Sequence, residues 1–287
     1  MKKNKIIMIV VNYNNYTDTI RCVNELVSYS AIDAVIVVDN YSNNSSVKKI
    51  KEAFEEKISL IELKNNSGYA SGNNAGIKFA IEKFGSECII FVSNPDVSVD
   101  QEVIKNVASF IQQNKDEAGI VAPRGDKFSA WKYPTISERL MVESKIWTFI
   151  FRKTNGQFKY YKHHKNVQPV DVLSGAFFAM YGKTWKEIGY FDDHTFLYYE
   201  EEILYKKLKL IGKQNYQLGD NFFHHVGQSS TAKNNILETK RMNESRNYLL
   251  KEYENINFIQ KMGFYIVGNT NVAFSALLNL KRRISFK

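Results

Sequence analysis

Ile89-Ile90-Phe91-Val92-Ser93-Asn94-Pro95-Asp96-Val97 is an apolar run that stops abruptly in a polar turn. Pro95 supplies no amide donor to a sheet ladder, and its ring forces the backbone to turn. A buried strand that ends this way presents a carboxylate, that of Asp96, at the rim of a sheet, where it can hold a metal ion. Asn, Pro and Asp are also ordinary turn formers, so the tripeptide alone reads first as a strand running into a turn. The neighbouring chain decides.

The strand-to-polar-loop pattern occurs three times before this one. Lys5 to Val11 is a β-branched apolar run ending in Asn12-Tyr13-Asn14-Asn15, after which Thr17-Asp18-Thr19 can cap a helix with Ile20, Val23, Leu26 and Val27 on one face. Ala34 to Val38 is a second strand, followed by Asp39-Asn40-Tyr41-Ser42 and a helix from about Val47 to Glu56. Ile58 to Leu63 is a third, followed by the glycine- and asparagine-rich Asn65-Asn66-Ser67-Gly68-Tyr69-Ala70-Ser71-Gly72-Asn73-Asn74 and a helix through Ile77 and Ile81. Repeated strand–helix units of this length predict an α/β fold with a mostly parallel sheet and right-handed crossovers. Ligands of such sheets bind beyond the carboxyl ends of the strands, where all four loops fall.

The first hundred residues therefore read as a nucleotide-binding half. Asp39 can accept hydrogen bonds from a base or ribose, or cap the turn that follows it. Gly68 and Asn74 can approach a ligand closely, or belong to a purely structural loop. The glycine loop that grips phosphate in nucleoside triphosphatases is not here: Gly182-Lys183-Thr184 matches only its tail, with Phe177 where the first glycine belongs. No Gly-x-Gly-x-x-Gly follows the first strand either. A phosphate cradle here must use something other than a glycine loop, and a divalent ion is the obvious candidate.

Composition limits the alternatives. The 287 residues suit one large domain or a domain with an appendage, and the two cysteines, Cys22 and Cys88, show no metal-type spacing, which suits a reduced, cytoplasmic chain. The apolar segment Ile6 to Val11 is too short for a signal sequence or a membrane span. The net charge of +9 suits a phosphate-bearing ligand, an anionic membrane surface or nucleic acid. No zinc spacing, aromatic RNA-binding signature or helix-turn-helix pattern supports the last, so no nucleic-acid partner is expected.

Beyond residue 100 the signals are sparser. Pro123 to Gln168 loses periodicity in an aromatic and basic stretch containing Trp131, Tyr133, Trp147, Phe151, Arg152, Lys153, His163 and His164, read as either an acceptor-binding segment or an irregular packed insertion. Val170 to Met180 reads as a strand interrupted at Gly175. Glu200-Glu201-Glu202 opens a helix behind the aromatic run Phe196-Leu197-Tyr198-Tyr199. Three carboxylates there suit the helix dipole. The aromatic residues can equally shield one of them from water and raise its pKa toward that of a general base. His224 and His225 end another aromatic run before Val226-Gly227-Gln228-Ser229-Ser230 and suit a metal or phosphate contact. Lys240 to Lys287 reads as two basic helices that either complete the fold or rest on an anionic membrane.

Taken in order, these stretches resemble the family 2 glycosyltransferases, inverting enzymes of GT-A fold. The resemblance rests on Val10-Val11-Asn12-Tyr13-Asn14-Asn15, Val37-Val38-Asp39-Asn40, Asn66-Ser67-Gly68-Tyr69-Ala70 through Gly76, Ser93-Asn94-Pro95-Asp96, Leu173-Ser174-Gly175-Ala176, Gly189-Tyr190-Phe191-Asp192 through Glu201, and His224-His225-Val226-Gly227-Gln228-Ser229. The Asn-Pro-Asp branch looks most like bacterial rhamnosyltransferases of surface-polysaccharide assembly.

The resemblance implies a GT-A catalytic domain over residues 1–235, with 1–100 as its donor half and 101–235 as its acceptor half, and a helical extension over 236–287. It implies Mg²⁺ or Mn²⁺ on Asp96, helped by His224, with Asn94 replacing the first Asp of the usual metal motif. Asp39 would meet a pyrimidine base, and Asn12, Tyr13, Asn14, Gly68, Asn74, Asn94, Gly175 and Ala176 would line the donor site. Glu201 falls on the catalytic-base position, with Glu200 one register away.

The implied partners are a dTDP- or UDP-linked sugar, dTDP-rhamnose first, and a glycan or lipid-linked glycan acceptor, with a peripheral membrane contact through the basic C-terminal helices and the oligomeric state open, a homodimer included. A non-catalytic nucleotide-sugar binder and a nucleotidyltransferase are the rival readings. The second would want a basic glycine loop where this chain has Asn12-Tyr13-Asn14-Asn15.

Overall fold

The structure, a computed structural model, describes residues 4–126, 129–150, 159–162, 166–225 and 236–285. Phe151, Arg152, Lys153, His163, His164 and the stretch 226–230 singled out above lie outside the described residues.

The first half follows the predicted alternation: β1 (Lys5–Asn12), α1 (Tyr16–Val27), β2 (Ala34–Asp39), α2 (Ser46–Phe54), β3 (Ser59–Glu62), α3 (Tyr69–Phe84) and β4 (Cys88–Ser93). The second half comprises β5 (Val97–Val99), α4 (Gln101–Gln113), β6 (Ala118–Gly125), β7 (Ala130–Trp131), α5 (Ile136–Glu143), α6 (Lys145–Ile150), β8 (Val167–Val170), β9 (Val172–Leu173), β10 (Phe177–Tyr181), α7 (Gly182–Glu187), α8 (Glu200–Leu210), β11 (Gln214–His225), α9 (Ile236–Glu252) and α10 (Phe258–Ser285).

One sheet runs β3-β2-β1-β4-β10-β6-β11-β5, with β8 also on β11. It is parallel from β3 to β4. β10 then runs antiparallel to both β4 and β6, and β11 runs parallel to β6 but antiparallel to β5 and β8. The parallel part is thus the first four strands, and the sheet is mixed beyond them. β10 follows β9, which pairs with β7 in a separate two-stranded sheet, after the short turn 174–176.

β1 and β4 read as continuous apolar runs because both faces are covered. Alternate side chains divide between two cores: Ile6, Met8, Val10, Ile89 and Phe91 pack with α1 and α4, whereas Ile7, Ile9, Ile90 and Val92 pack with α3, α7 and α8. Each fully buried side chain of this size contributes about 1.5–3 kcal/mol. These strands are therefore the rigid support of whatever their ends carry.

The chain adds β2 and β3 on one side of β1, then returns to place β4 on the other. That reversal opens a crevice beyond the carboxyl ends of β1 and β4, where an α/β sheet takes its ligand. The irregular region after β6 is a packed insertion among the described residues: α5 and α6 lie against α10.

Candidate active site

The first wall of the crevice is built by Asn12 and Asp39, the last residues of paired strands and in register with each other. Both are buried. Asn12 Nδ2 donates to Asp39 Oδ1 at 2.7 Å, while Asn12 Oδ1 accepts from Thr19 Oγ1 at 2.9 Å. Asp39 also accepts from the Ser42 amide at 2.9 Å and the Ser42 hydroxyl at 2.7 Å. The turn-capping role is therefore present, and it holds the carboxylate rigidly. Asn14, in a left-handed conformation with φ of 56°, ties this turn to its own by accepting from the Asn43 amide at 3.0 Å. Tyr13 beside it is half exposed.

The second wall is the end of β4. The Asn94 amide donates to the Ala176 carbonyl at 2.8 Å, which fastens the turn after β4 to the turn before β10. Asp96 then meets a histidine: Oδ1 lies 3.0 Å from Nε2 of His225. His224 does not reach it. Its Nδ1 pairs instead with Asp126 at 2.8 Å, and its side chain is exposed. Of the two histidines, the one that faces Asp96 is thus His225 and not the His224 that the resemblance implied. The physical reason is strand geometry, since successive side chains point to opposite faces and β11 pairs antiparallel with β5 so that His225, not His224, stands opposite Val97. The Asp96 hydrogen bond holds the His225 imidazole above its ordinary pKa.

The third wall is the start of α3 against the segment 189–199. Gly68 has φ of 101°, and a Cβ there would lie 2.0 Å from the Phe196 carbonyl oxygen. The close approach that requires a glycine is therefore to the chain's own backbone. Asn74 is committed in the same way: its Nδ2 donates to the Phe191 carbonyl at 3.0 Å and its Oδ1 accepts from the Phe191 amide at 2.9 Å. The buried Asn74 side chain thus braces α3 against Phe191. Asn40, which the sequence reading passed over, donates to the Gly68 carbonyl at 3.0 Å and joins this wall to the first.

The braced segment delivers the carboxylates. Tyr198 and Tyr199 both have positive φ, 77° and 70°, immediately before α8. Non-glycine residues occupy that region at a cost and persist there only where surrounding structure holds them. Each of the next three glutamates has its own environment. Glu202 is buried in an ion pair with Arg139 of α5. Glu201 Oε1 accepts from the Gly175 amide at 3.1 Å. Glu200 is buried, and its Oε1 has no hydrogen-bond partner. Burial, then the charge of Glu201, pushes the Glu200 carboxyl up to about 8, and burial likewise raises Glu201. The two carboxyls share one environment, so they titrate as a pair. Tyr69 closes this corner by donating its hydroxyl to the Gly175 carbonyl at 2.7 Å.

Between Asp39 and Asp96 the walls of the crevice are tied together by hydrogen bonds from Asn40 to the Gly68 carbonyl, from the Tyr69 amide to the Phe196 carbonyl, from the Gly175 amide to Glu201 and from the Asn94 amide to the Ala176 carbonyl. The model for glycosyl transferase family 2 matches residues 7–178, which carry most of these walls.

The chain belongs to glycosyl transferase family 2.

Curated relatives in that family are partial matches. The low-salt glycan biosynthesis hexosyltransferase Agl10 of Haloferax volcanii is 26% identical over 197 residues, 68% of this chain and 58% of that protein. The dTDP-rhamnosyl transferase RfbF of Shigella flexneri is 37% identical over 94 residues, 32% of this chain and 30% of that protein. This chain therefore spans less than two thirds of either. Solved structures share the fold at low identity. GalNAc-T7 with UDP, GalNAc and Mn²⁺ superposes with a TM-score of 0.63 at 13% identity, covering 93% of this chain and 55% of that one. The mannosyltransferase PcManGT of Pyrobaculum calidifontis, in complex with GDP-Man and Mn²⁺, gives 0.59 at 13% identity, covering 100% and 82%. The fold is accordingly GT-A, α/β with a central sheet flanked by helices, as the resemblance implied.

Among the described residues of this family 2 chain, two places offer ligands suited to a divalent ion. Asp96 with His225 pairs a carboxylate with an imidazole at the rim, a donor set that fits a cation otherwise held by substrate phosphate and water. Asp192, Asp193 and His194 form the other, with ligand atoms within 4.8 Å of one another. Asp192 is already engaged by the protein, however: it accepts from the Tyr248 hydroxyl at 2.8 Å and from Tyr253 and His194. Burial would raise its carboxyl, but those donors hold it below the usual carboxylate value. The second cluster fastens α9 to the segment before α8.

Proposed function

We propose that this chain is an inverting glycosyltransferase that moves a sugar from a nucleoside diphosphate to a hydroxyl of a growing glycan. The observation that carries the reading is the Glu201 carboxyl, raised in pKa and fixed by the Gly175 amide in the same crevice as Asp96. A base and a cation-suited carboxylate facing one crevice are what a direct displacement needs.

Asp39, held by Asn12 and Ser42, presents a fixed acceptor to the nucleoside, with Asn12, Tyr13 and Asn14 beside it. Asp96 and His225 would hold Mg²⁺ or Mn²⁺, which supplies counter-charge to the departing diphosphate. Glu201 takes the proton of the acceptor hydroxyl as its oxygen bonds to the anomeric carbon. The bond from that carbon to the phosphate oxygen breaks on the opposite face, its electron pair leaves with the diphosphate, and the configuration inverts. No covalent enzyme intermediate is required. Residues 101–235 would supply the acceptor side, and the reaction would run on the cytoplasmic face of the membrane.

In this reading dTDP-rhamnose comes first among donors, ahead of UDP-hexoses and UDP-galactofuranose, supported by the partial likeness to the Shigella rhamnosyl transferase. A thermal-shift panel of nucleotide sugars with and without Mn²⁺ tests this, because ligands of the folded state raise the unfolding midpoint. The true donor should raise it only with the cation present, and transfer to acceptor should follow; a donor that binds without any transfer would leave a non-catalytic sugar-nucleotide binder instead.

A further inference from the structure

We propose that α10 and α6 form a face that docks on an anionic lipid bilayer. The amphipathicity of α10 is inverted relative to a helix that completes a core. Its inward side carries Phe264, Gly268, Asn271 and Ser275, spaced at helical intervals and all buried. Most of that contact is polar. Asn271 accepts from the Lys145 amide at 2.8 Å and donates to the Glu143 carbonyl at 2.8 Å, and Ser275 Oγ accepts from Lys145 Nζ at 2.7 Å. The outward side carries Phe258, Ile259, Tyr265, Ile266 and Leu277, each between 57% and 80% exposed. The Phe274 ring lies 5.7 Å from that of Phe149 on α6, whose own Ile150 is exposed, so the apolar surface continues from one helix to the other.

An apolar face this extended is unusual on a protein surface without a partner. Charge selects the partner. The sequence of α10, 28 residues, contains Lys261, Lys281, Arg282 and Arg283 and no Asp or Glu. Apolar residues on one side of a helix with cations and no carboxylates describe a helix that lies in a bilayer interface and is drawn to anionic headgroups. A second copy would bring the same acid-free helix against it. Among the described residues no helix is long and apolar enough to cross a membrane, so the mode is lying on rather than spanning. The docking is independent of which sugar is transferred, and its test needs no activity.

The full chain is sedimented with vesicles of phosphatidylcholine alone and of phosphatidylcholine with phosphatidylglycerol, alongside Ile259→Asp/Ile266→Asp and Lys281→Gln/Arg282→Gln/Arg283→Gln. The wild type should bind the phosphatidylglycerol vesicles and be released by salt. Each variant, at an unchanged unfolding midpoint, should bind roughly ten-fold less. Equal binding to both vesicle types, or full binding by both variants, would overturn the proposal. A wild-type dimer that binds no vesicle, and that the double isoleucine variant dissolves, would overturn it in favour of a second copy on this face.

Discussion

The Gly175 amide donates to Oε1 of Glu201 across 3.1 Å, and a Cβ on Gly175 would lie 2.9 Å from that same oxygen. The turn before β10 and the first turn of α8 therefore meet at the carboxylate itself. This contact separates Glu201 from its neighbours: Glu202 is spent on Arg139, and Glu200 has no donor on Oε1.

Glu201→Gln should lower kcat by about 10²–10⁴-fold, the usual worth of a positioned general base, while the nucleotide still raises the unfolding midpoint. Glu202→Gln, which can still accept a hydrogen bond from Arg139, should lower kcat far less than Glu201→Gln. Steady-state kinetics of purified variants check both, and near-normal turnover of Glu201→Gln would remove it from the role.

The coupled pair also sets a pH dependence. Burial raises both carboxyls, Glu200 to about 8, so the pair holds a proton well above the ordinary glutamate range. A base must be ionised, which puts the acid limb of the kcat profile above that range. Glu200→Gln removes a neighbouring negative charge and should move the limb to lower pH. Stability has the matching sign: a carboxyl whose folded pKa is raised favours the folded state below its unfolded value, and that contribution is lost as pH rises through the folded one. Glu200→Gln should therefore gain stability over wild type as pH rises from 4.5 toward about 8. Melting curves across that range read it directly.

Much of the crevice was legible in the sequence because it is written in local signals. The apolar runs of β1, β2 and β4 and the polar residues that end them mark Asn12, Asp39 and Asp96 without reference to the rest of the chain. What could not be read depends on contacts distant in sequence. The contacts of Asn74 and Gly68 with Phe191 and Phe196, more than a hundred positions later, leave no local signal. The histidine pair shows adjacency but not facing, which the register of β11 on β5 decides. Arg139 carried no signal at all, since an arginine in an aperiodic stretch is ordinarily a surface residue.

The histidine register gives a direct comparison. His225→Ala should weaken Mn²⁺ dependence or raise the Mn²⁺ concentration needed for half-maximal donor-induced stabilisation by roughly ten-fold, as loss of a ligand or its support does. His224→Ala, which loses only an exposed pairing with Asp126, should change it by less than about two-fold. Titration of the metal at fixed donor measures both, and the opposite ranking would restore His224.

Arg139 supplies the last test. Its guanidinium is fully buried between Glu202 of α8 and Glu143 at the end of α5, and Arg246 of α9 stands 3.6 Å from Glu143. Removing one member of a buried ion pair leaves an uncompensated charge and costs about 3–5 kcal/mol. Arg139→Met should lower stability by that amount in denaturant unfolding. It should also lower kcat, because Glu202 pins the turn that presents Glu201. Arg139→Met/Glu202→Leu removes both charges of the direct pair and should recover most of the stability, since well-packed apolar replacements of buried ion pairs are often neutral. If stability returns and kcat does not, the pair acts by holding the register of α8 and not by general support of the fold.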